Sequence, residues 1–257
     1  ADVYIALRMS FDSAEAATVN KEIFETIYHG ALSASVELAK IDGPYSTYAG
    51  SPLSEGKFQF DMWDGGNTKV SDRYDWNELR ENVKTHGVRN SLLVAPMPTA
   101  TTSQIMGNNE AIEPYTSNIY LRRTVAGEFV VVNKQLMKDL MELNLWSSQM
   151  KDKIIYHQGS VQHINEIPDE IKKLYKTSWE LSQKVLIDQA ADRGVFICQT
   201  QSLNLFIPKP SFKILSSMHF YAWSKGLKTG MYYLRTKPAA DAIQFTVSND
   251  VCETCSS

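Results

Sequence analysis

The sequence predicts an α/β fold on three observations: strand-length apolar segments such as 91–95, 195–197 and 203–207, helical segments long enough to cross over between strands, and a repeated strand-then-helix order. That order favours a largely parallel sheet or barrel over a sandwich. With 257 residues and 43% hydrophobic content the chain is large enough for a packed core, and neither an internal repeat nor a low-complexity tract interrupts it.

From Asp12 to about Lys40 the apolar residues Val19, Ile23, Ile27 and Leu32 recur at helical spacing. Asp12 and Glu15 stand in a capping-box relation at its start, and Gly43-Pro44 stops it. Residues 43–72 are rich in Gly, Ser, Pro and Asp but carry Phe58, Phe60, Met62 and Trp63, which predicts an ordered loop with buried aromatics. A short helix from Asp75 to His86 presents Trp76, Leu79 and Val83 on one side and ends at Gly87. The strand 91–95 follows, then a Thr-rich turn into Gln104-Ile105 and a loop from Gly107 to Tyr115. Strand-like segments 118–123 and 128–132 lead into helices at about 133–143 and 146–157, and then into one long helix from Pro168 to Arg193 that closes at Gly194. Strand material at 195–197 and 203–207, a helix over 211–225 and the stretch 230–235 complete the pattern.

Composition excludes several function classes. With 26 basic and 29 acidic residues the formal charge is −3, so no excess positive field is present to hold a nucleic-acid backbone or an anionic membrane. No apolar run approaches the ~20 residues that span a bilayer, and the N-terminal ADVYIALRMSFDS has no signal-peptide pattern. Three cysteines, Cys198, Cys252 and Cys255, are too few for a secreted disulfide framework, which predicts a cytoplasmic protein. The absent initiator Met and the immediate entry into a helix read as a fragment.

Three features could carry chemistry. The turn Pro98-Thr99-Ala100-Thr101-Thr102-Ser103 places hydroxyl residues where a strand meets a helix. Unpaired N–H groups and hydroxyls there would suit a phosphate, although Thr and Ser are also ordinary helix caps. The adjacent Tyr232 and Tyr233 read by themselves as a buried aromatic strand, although a phenol with its pKa near 10 keeps its proton at rest, so its oxidation would move electron and proton together. Cys252-Glu253-Thr254-Cys255 reads as a dithiol, half a zinc site or an inert tail. Cys198, in an apolar segment, reads as core, and none of the five histidines has ligand spacing.

Longer motifs narrow these choices. Trp76-Asn77-Glu78-Leu79, seven residues, then Gly87-Val88-Arg89-Asn90 through Val94-Ala95-Pro96-Met97-Pro98 resembles the signature of ribonucleotide reductase large subunits. The resemblance continues through Gly107-Asn108-Asn109-Glu110, Ile112 to Tyr120, Gln201-Ser202-Leu203-Asn204, Ser217 to Tyr221 and Gly226 to Thr236, covering the chain to about Val247. It implies class I enzymes and the C-terminal half of a ten-stranded α/β barrel with flanking helices, over residues 1–247, followed by a dithiol tail at 248–257. It assigns Pro98, Thr99, Ala100, Thr101 and Thr102 to the substrate diphosphate, with Thr101 where relatives carry Ser. Tyr232 and Tyr233 become a radical relay, Tyr232 nearer the substrate and Tyr233 facing the small subunit. Two stacked rings at adjacent positions would then require a departure from ideal strand geometry, because successive strand side chains point to opposite faces.

Cys252 and Cys255 become, by the same resemblance, the redox tail that re-reduces an active-site disulfide. Only 18 residues separate Tyr233 from Cys252, a coil spanning ~23 Å. The implied partners are the small subunit, the N-terminal half of the large subunit, a ribonucleoside diphosphate, and thioredoxin or glutaredoxin, with no nucleic acid and no membrane. No metal and no cofactor is expected in this chain itself; the metal-linked radical belongs to the small subunit. The family's thiyl cysteine, its neighbouring Asn and Glu, the cysteine pair that supplies electrons and the allosteric nucleotide-binding cone all fall in preceding segments. The chain is therefore expected to be inactive alone. The alternative expectation is a non-catalytic assembly module that docks on the small subunit.

Overall fold

The structure, a computed structural model, describes residues 1–125 and 127–237. The tail at 248–257, with Cys252 and Cys255, lies outside them. Nine helices and four strands are present among the described residues: α1 (Asp2–Ala6), α2 (Ala14–Asp42), α3 (Trp76–His86), α4 (Thr102–Met106), β1 (Ile119–Thr124), β2 (Gly127–Val132), α5 (Lys134–Glu142), α6 (Ser148–Tyr156), α7 (Asp169–Leu174), α8 (Gln183–Gly194), β3 (Asn204–Phe206), α9 (Phe212–Ser224) and β4 (Tyr233–Arg235). Two 3-10 turns, Gln59–Met62 and Asp64–Gly66, lie in the long loop after α2.

Helix starts follow local chemistry. Asp75 accepts from the N–H groups of Asn77 and Glu78 at 3.0 and 2.9 Å, Asn133 caps α5, Ser147 caps α6 and Ser211 caps α9. At the head of α2 the cap is Ser13, accepting from Ala16 N–H at 3.1 Å, which corrects the expected Asp12. Asp12 instead receives the Ser10 hydroxyl and the Lys176 ammonium. Its two carboxylate oxygens are engaged by tertiary neighbours, and the shorter Ser side chain next to it reaches the helix.

The helix expected over 168–193 divides into α7 and α8. Between them Thr177 N–H donates to the Glu180 carboxylate at 2.7 Å, and Ser178 donates its N–H to Tyr115 O and its hydroxyl to Pro114 O. Side-chain and long-range bonds take over the backbone groups that a continuous helix would use.

The strands form two two-stranded sheets. β1 and β2 pair antiparallel, Thr124 opposite Gly127, and β3 pairs parallel with β4, Asn204 opposite Tyr233. A two-residue connection permits only the antiparallel hairpin, so the expected largely parallel sheet is met by β3 and β4 alone. No closed barrel is present among the described residues. Segment 91–95 makes no ladder: Val94 O accepts from Cys198 and Gln199 N–H, and Pro96 O from Ser202 N–H.

Three apolar clusters hold the chain together. One joins Phe11, Leu186, Ala190, Leu203, Leu205 and Phe206; a second joins α2, the aromatic loop and α3 around Tyr28, Phe58, Phe60 and Trp76; a third packs α5, α6 and α7 around Leu136, Ile154 and Ile167. Gly159 ties the third cluster to the chain before β1, its carbonyl accepting from Asn118 N–H and Nδ2 at 3.1 and 3.0 Å. At φ +83°, a Cβ there would collide with Ser117 Oγ and stand 2.8 Å from Asn118 N. Gly159→Ala should therefore destabilise the fold by about 2 to 4 kcal/mol, from left-handed strain plus overpacking. Denaturant unfolding checks this, and a loss under about 0.5 kcal/mol, the size of an indifferent surface change, would refute it.

Candidate functional site

Segment 91–96 delivers the chain to a tight turn stitched from within. Thr99 donates both its N–H and its hydroxyl to Glu110 O, at 3.3 and 3.0 Å, while Thr99 O accepts from Ser103 N–H at 2.9 Å. Thr101 already has helical dihedrals and makes no side-chain cap. Among the described residues no protein group meets the N–H of Ala100, Thr101 or Thr102, and these three residues are exposed. The turn thus presents three donors toward solvent at the start of α4. Ser103 Oγ is buried without a partner.

Beside the turn, Arg122 on β1 donates to Gln104 Oε1 on α4. A polar cavity of about 250 Å³ opens there between Ala100, Gln104, Asn108, Tyr115, Tyr120 and Arg122. Arg122 lies 18 positions beyond Gln104 in the chain, and only the fold brings this basic residue to the turn.

Tyr232 and Tyr233 are in contact, with ring centroids 4.5 Å apart. Their planes meet at 74°, so the pair is edge-to-face and not stacked as expected. Tyr232 occupies a bend just before β4, its N–H bonded to Leu203 O at 2.6 Å, and only Tyr233 begins the strand. That bend resolves the conflict between adjacent rings in contact and strand alternation. Tyr232 is 55% exposed and Tyr233 49%, so the ring expected to face the small subunit is the slightly less exposed of the two. The Arg235 guanidinium, 5.0 Å from the Tyr233 ring centroid, covers part of that ring. The Tyr233 hydroxyl, hydrogen-bonded to the Tyr232 phenol, raises that phenol above its usual range, so the Tyr232 ring carries its proton at neutral pH.

A wider apolar groove of about 680 Å³ runs along α9, lined by Phe212, Leu215, Phe220, Trp223, His219 and Lys228. It offers little polar chemistry. Cys198 is half-buried against the Tyr28 cluster, in keeping with the core reading. His29 stacks on Tyr74 with centroids 4.2 Å apart. Among the described residues no group of three or more His, Cys, Asp or Glu side chains could hold a metal ion, and no helix is long and apolar enough to cross a membrane.

The family model described as ribonucleotide reductase, barrel domain, matches residues 1–233. The chain is 60% identical over 254 residues to the ribonucleoside-diphosphate reductase large subunit of Plasmodium falciparum, covering 98% of this chain and 31% of that protein. To the large subunit of Dictyostelium discoideum it is 62% identical over 255 residues, covering 99% of this chain and 29% of the relative. Among solved structures it is similar to the class Id ribonucleotide reductase alpha subunit of Actinobacillus ureae, with a TM-score of 0.68 and 31% identity, over 91% of this chain and 36% of that one. The chain spans about a third of the length of the relatives it matches.

Proposed function

This chain belongs to the ribonucleotide reductase barrel-domain family, and from that premise we propose that it is the C-terminal portion of a ribonucleoside-diphosphate reductase large subunit. In this reading β3 and β4 are two strands of the ten-stranded barrel that the rest of the subunit completes. The turn Pro98 to Thr102 holds the substrate diphosphate, Tyr232 and Tyr233 relay the radical, and the complete cytoplasmic enzyme makes deoxyribonucleotides.

The observation that carries this reading is the contact between Tyr232 and Tyr233, 4.5 Å apart at the head of a strand paired with β3, within a chain whose family match runs to residue 233. Tyr233 gives up an electron and its phenolic proton toward the small subunit. The resulting phenoxyl takes the electron and proton of Tyr232, and Tyr232 in turn oxidises a cysteine supplied by the remainder of the barrel. Contact between the rings spares the radical a solvent gap.

At the turn, the N–H groups of Ala100, Thr101 and Thr102 donate to phosphate oxygens, with the positive end of the short α4 behind them. The Thr101 and Thr102 hydroxyls add donors, while that of Thr99 holds the turn's shape through Glu110 O. Cys252 and Cys255 close the cycle: one thiolate attacks the active-site disulfide, the second displaces the mixed disulfide, and a thioredoxin- or glutaredoxin-type dithiol reduces the tail again.

Titration of the isotopically labelled chain with inorganic pyrophosphate tests the turn. The amide resonances of residues 100–102 should shift with a Kd of roughly 1 mM, about −4 kcal/mol, since contacts to base and ribose are lacking. Resonances that stay put at pyrophosphate concentrations about tenfold higher would overturn the assignment, because binding at that Kd would then be about nine-tenths saturated.

A further inference from the structure

Glu113 is 2% exposed, yet its side chain meets no cation directly among the described residues. Its carboxylate accepts from Asn204 twice, from the backbone N–H at 3.0 Å and from Nδ2 at 3.1 Å. A buried carboxylate is costly, and this one acts on a single residue of β3, the one paired with Tyr233. Both carboxylate oxygens accept from Asn204, so its side-chain amide presents the NH₂ to Glu113. Its carbonyl oxygen is turned away, buried and without a partner.

On its other side Glu113 is tied to the diphosphate turn. Asn109 Nδ2 donates to Glu113 O at 2.7 Å, and the neighbouring Glu110 O receives both donors of Thr99. A continuous path of short bonds therefore runs from Thr99, through 109–113 and the Glu113 carboxylate, to Asn204 and its strand partner Tyr233. The buried Arg193 guanidinium balances the carboxylate from a distance while its own bonds go to Gln201 Oε1 at 2.6 Å and Asn20 Oδ1 at 3.5 Å.

We propose that Glu113 and Asn204 form a positioning pair that sets the diphosphate turn in register with the tyrosine relay. The proposal rests on the functional reading above. Neither residue needs to touch substrate: the pair fixes how far a nucleotide anchored at Thr99 to Thr102 stands from the end of the radical path. A misplacement of about 1 Å in such an arrangement costs on the order of 100-fold in rate.

The test uses the complete large subunit with its small subunit, following kcat, diphosphate Kd and spending of the small-subunit radical on substrate addition. Glu113→Ala should lower kcat about 100-fold with Kd changed less than about threefold, because each half keeps its local geometry. Radical loss on substrate addition should slow with it. Glu113→Gln should keep kcat within about fivefold, since Asn204 can turn its amide over and pair with the new one. Should Glu113→Ala fail to fold with Arg193 left unbalanced, Asn204→Ala removes the Nδ2 half of the link while keeping the backbone N–H bond and the carboxylate, with an expected kcat loss of about tenfold. Asn204→Ala at wild-type kcat, or variants that lose diphosphate affinity in step with kcat, would overturn the pair while leaving the functional reading intact. A wild-type enzyme that neither binds nor reduces diphosphates overturns the reading itself.

Discussion

Replacing Tyr233 by Phe should abolish turnover of the complete enzyme, by about 1000-fold or more, while leaving the stability of the chain within about 0.5 kcal/mol of the original. The two halves of this expectation have separate causes. Tyr233 is half exposed, and the partner of its hydroxyl is the phenol of the similarly exposed Tyr232. Deleting it strands no buried partner. The Phe ring keeps the edge-to-face contact with Tyr232 and the face offered to Arg235, so packing survives. What disappears is the O–H, and without it no proton can leave with the electron. Tyr232→Phe should behave alike. If the pair were only aromatic packing material, both variants would run at wild-type rate beside an unchanged small subunit. Turnover above about a tenth of wild type, a barrier change under ~1.4 kcal/mol, would refute the relay.

Helices with strong caps and clean periodicity were legible in the sequence, and α3 is the clearest case. Trp76, Leu79 and Val83 lie on one face, Asp75 caps it and Gly87 ends it with φ +73°. Where local and tertiary demands compete, the sequence misleads. Segment 175–182 has the length and apolar content to continue a helix, but Ser178 is drawn onto Pro114 and Tyr115, about 60 residues earlier in the chain, and no periodicity encodes that. Segment 91–95 reads as a strand because its side chains suit one, while pairing depends on a neighbour that a local window cannot supply.

The candidate site was legible in a different way. Periodicity alone left the Thr-rich turn as a plausible cap and the two tyrosines as plausible core, and the motif resemblance distinguished the readings. The structure adds that the Thr101 hydroxyl makes no cap and that the two rings touch. Glu113 was visible only as a motif letter between Ile112 and Pro114. Its partner Asn204 is 91 residues away, and the burial that makes the contact consequential is a property of the packed chain.

The 257-residue chain mixed with the small subunit should reduce no ribonucleoside diphosphate, and adding the remainder of the large subunit should restore turnover. Reduction of a ribose needs a thiyl radical beside the sugar and two thiols to supply electrons. Of the three cysteines, Cys252 and Cys255 belong to the C-terminal tail, which in the proposed reading would deliver electrons to a disulfide and not replace it. Cys198 is the remaining thiol, half-buried against the Tyr28 cluster. Its N–H and the following one are held by Val94 O, and the Lys228 ammonium bonds the carbonyls of Ile197, Cys198 and Gln199 at 2.8, 2.9 and 3.3 Å. A backbone pinned on both sides cannot carry that thiol to the turn at Thr99 to Thr102 without breaking these bonds. Among the described residues, a radical reaching Tyr232 therefore meets no thiol set to abstract hydrogen from a bound ribose. Deoxynucleotide formation is the readout, followed with and without the complementary segment. Product above background from this chain and small subunit alone would require Cys198 to leave its place, and would refute the division of labour argued from these three thiols.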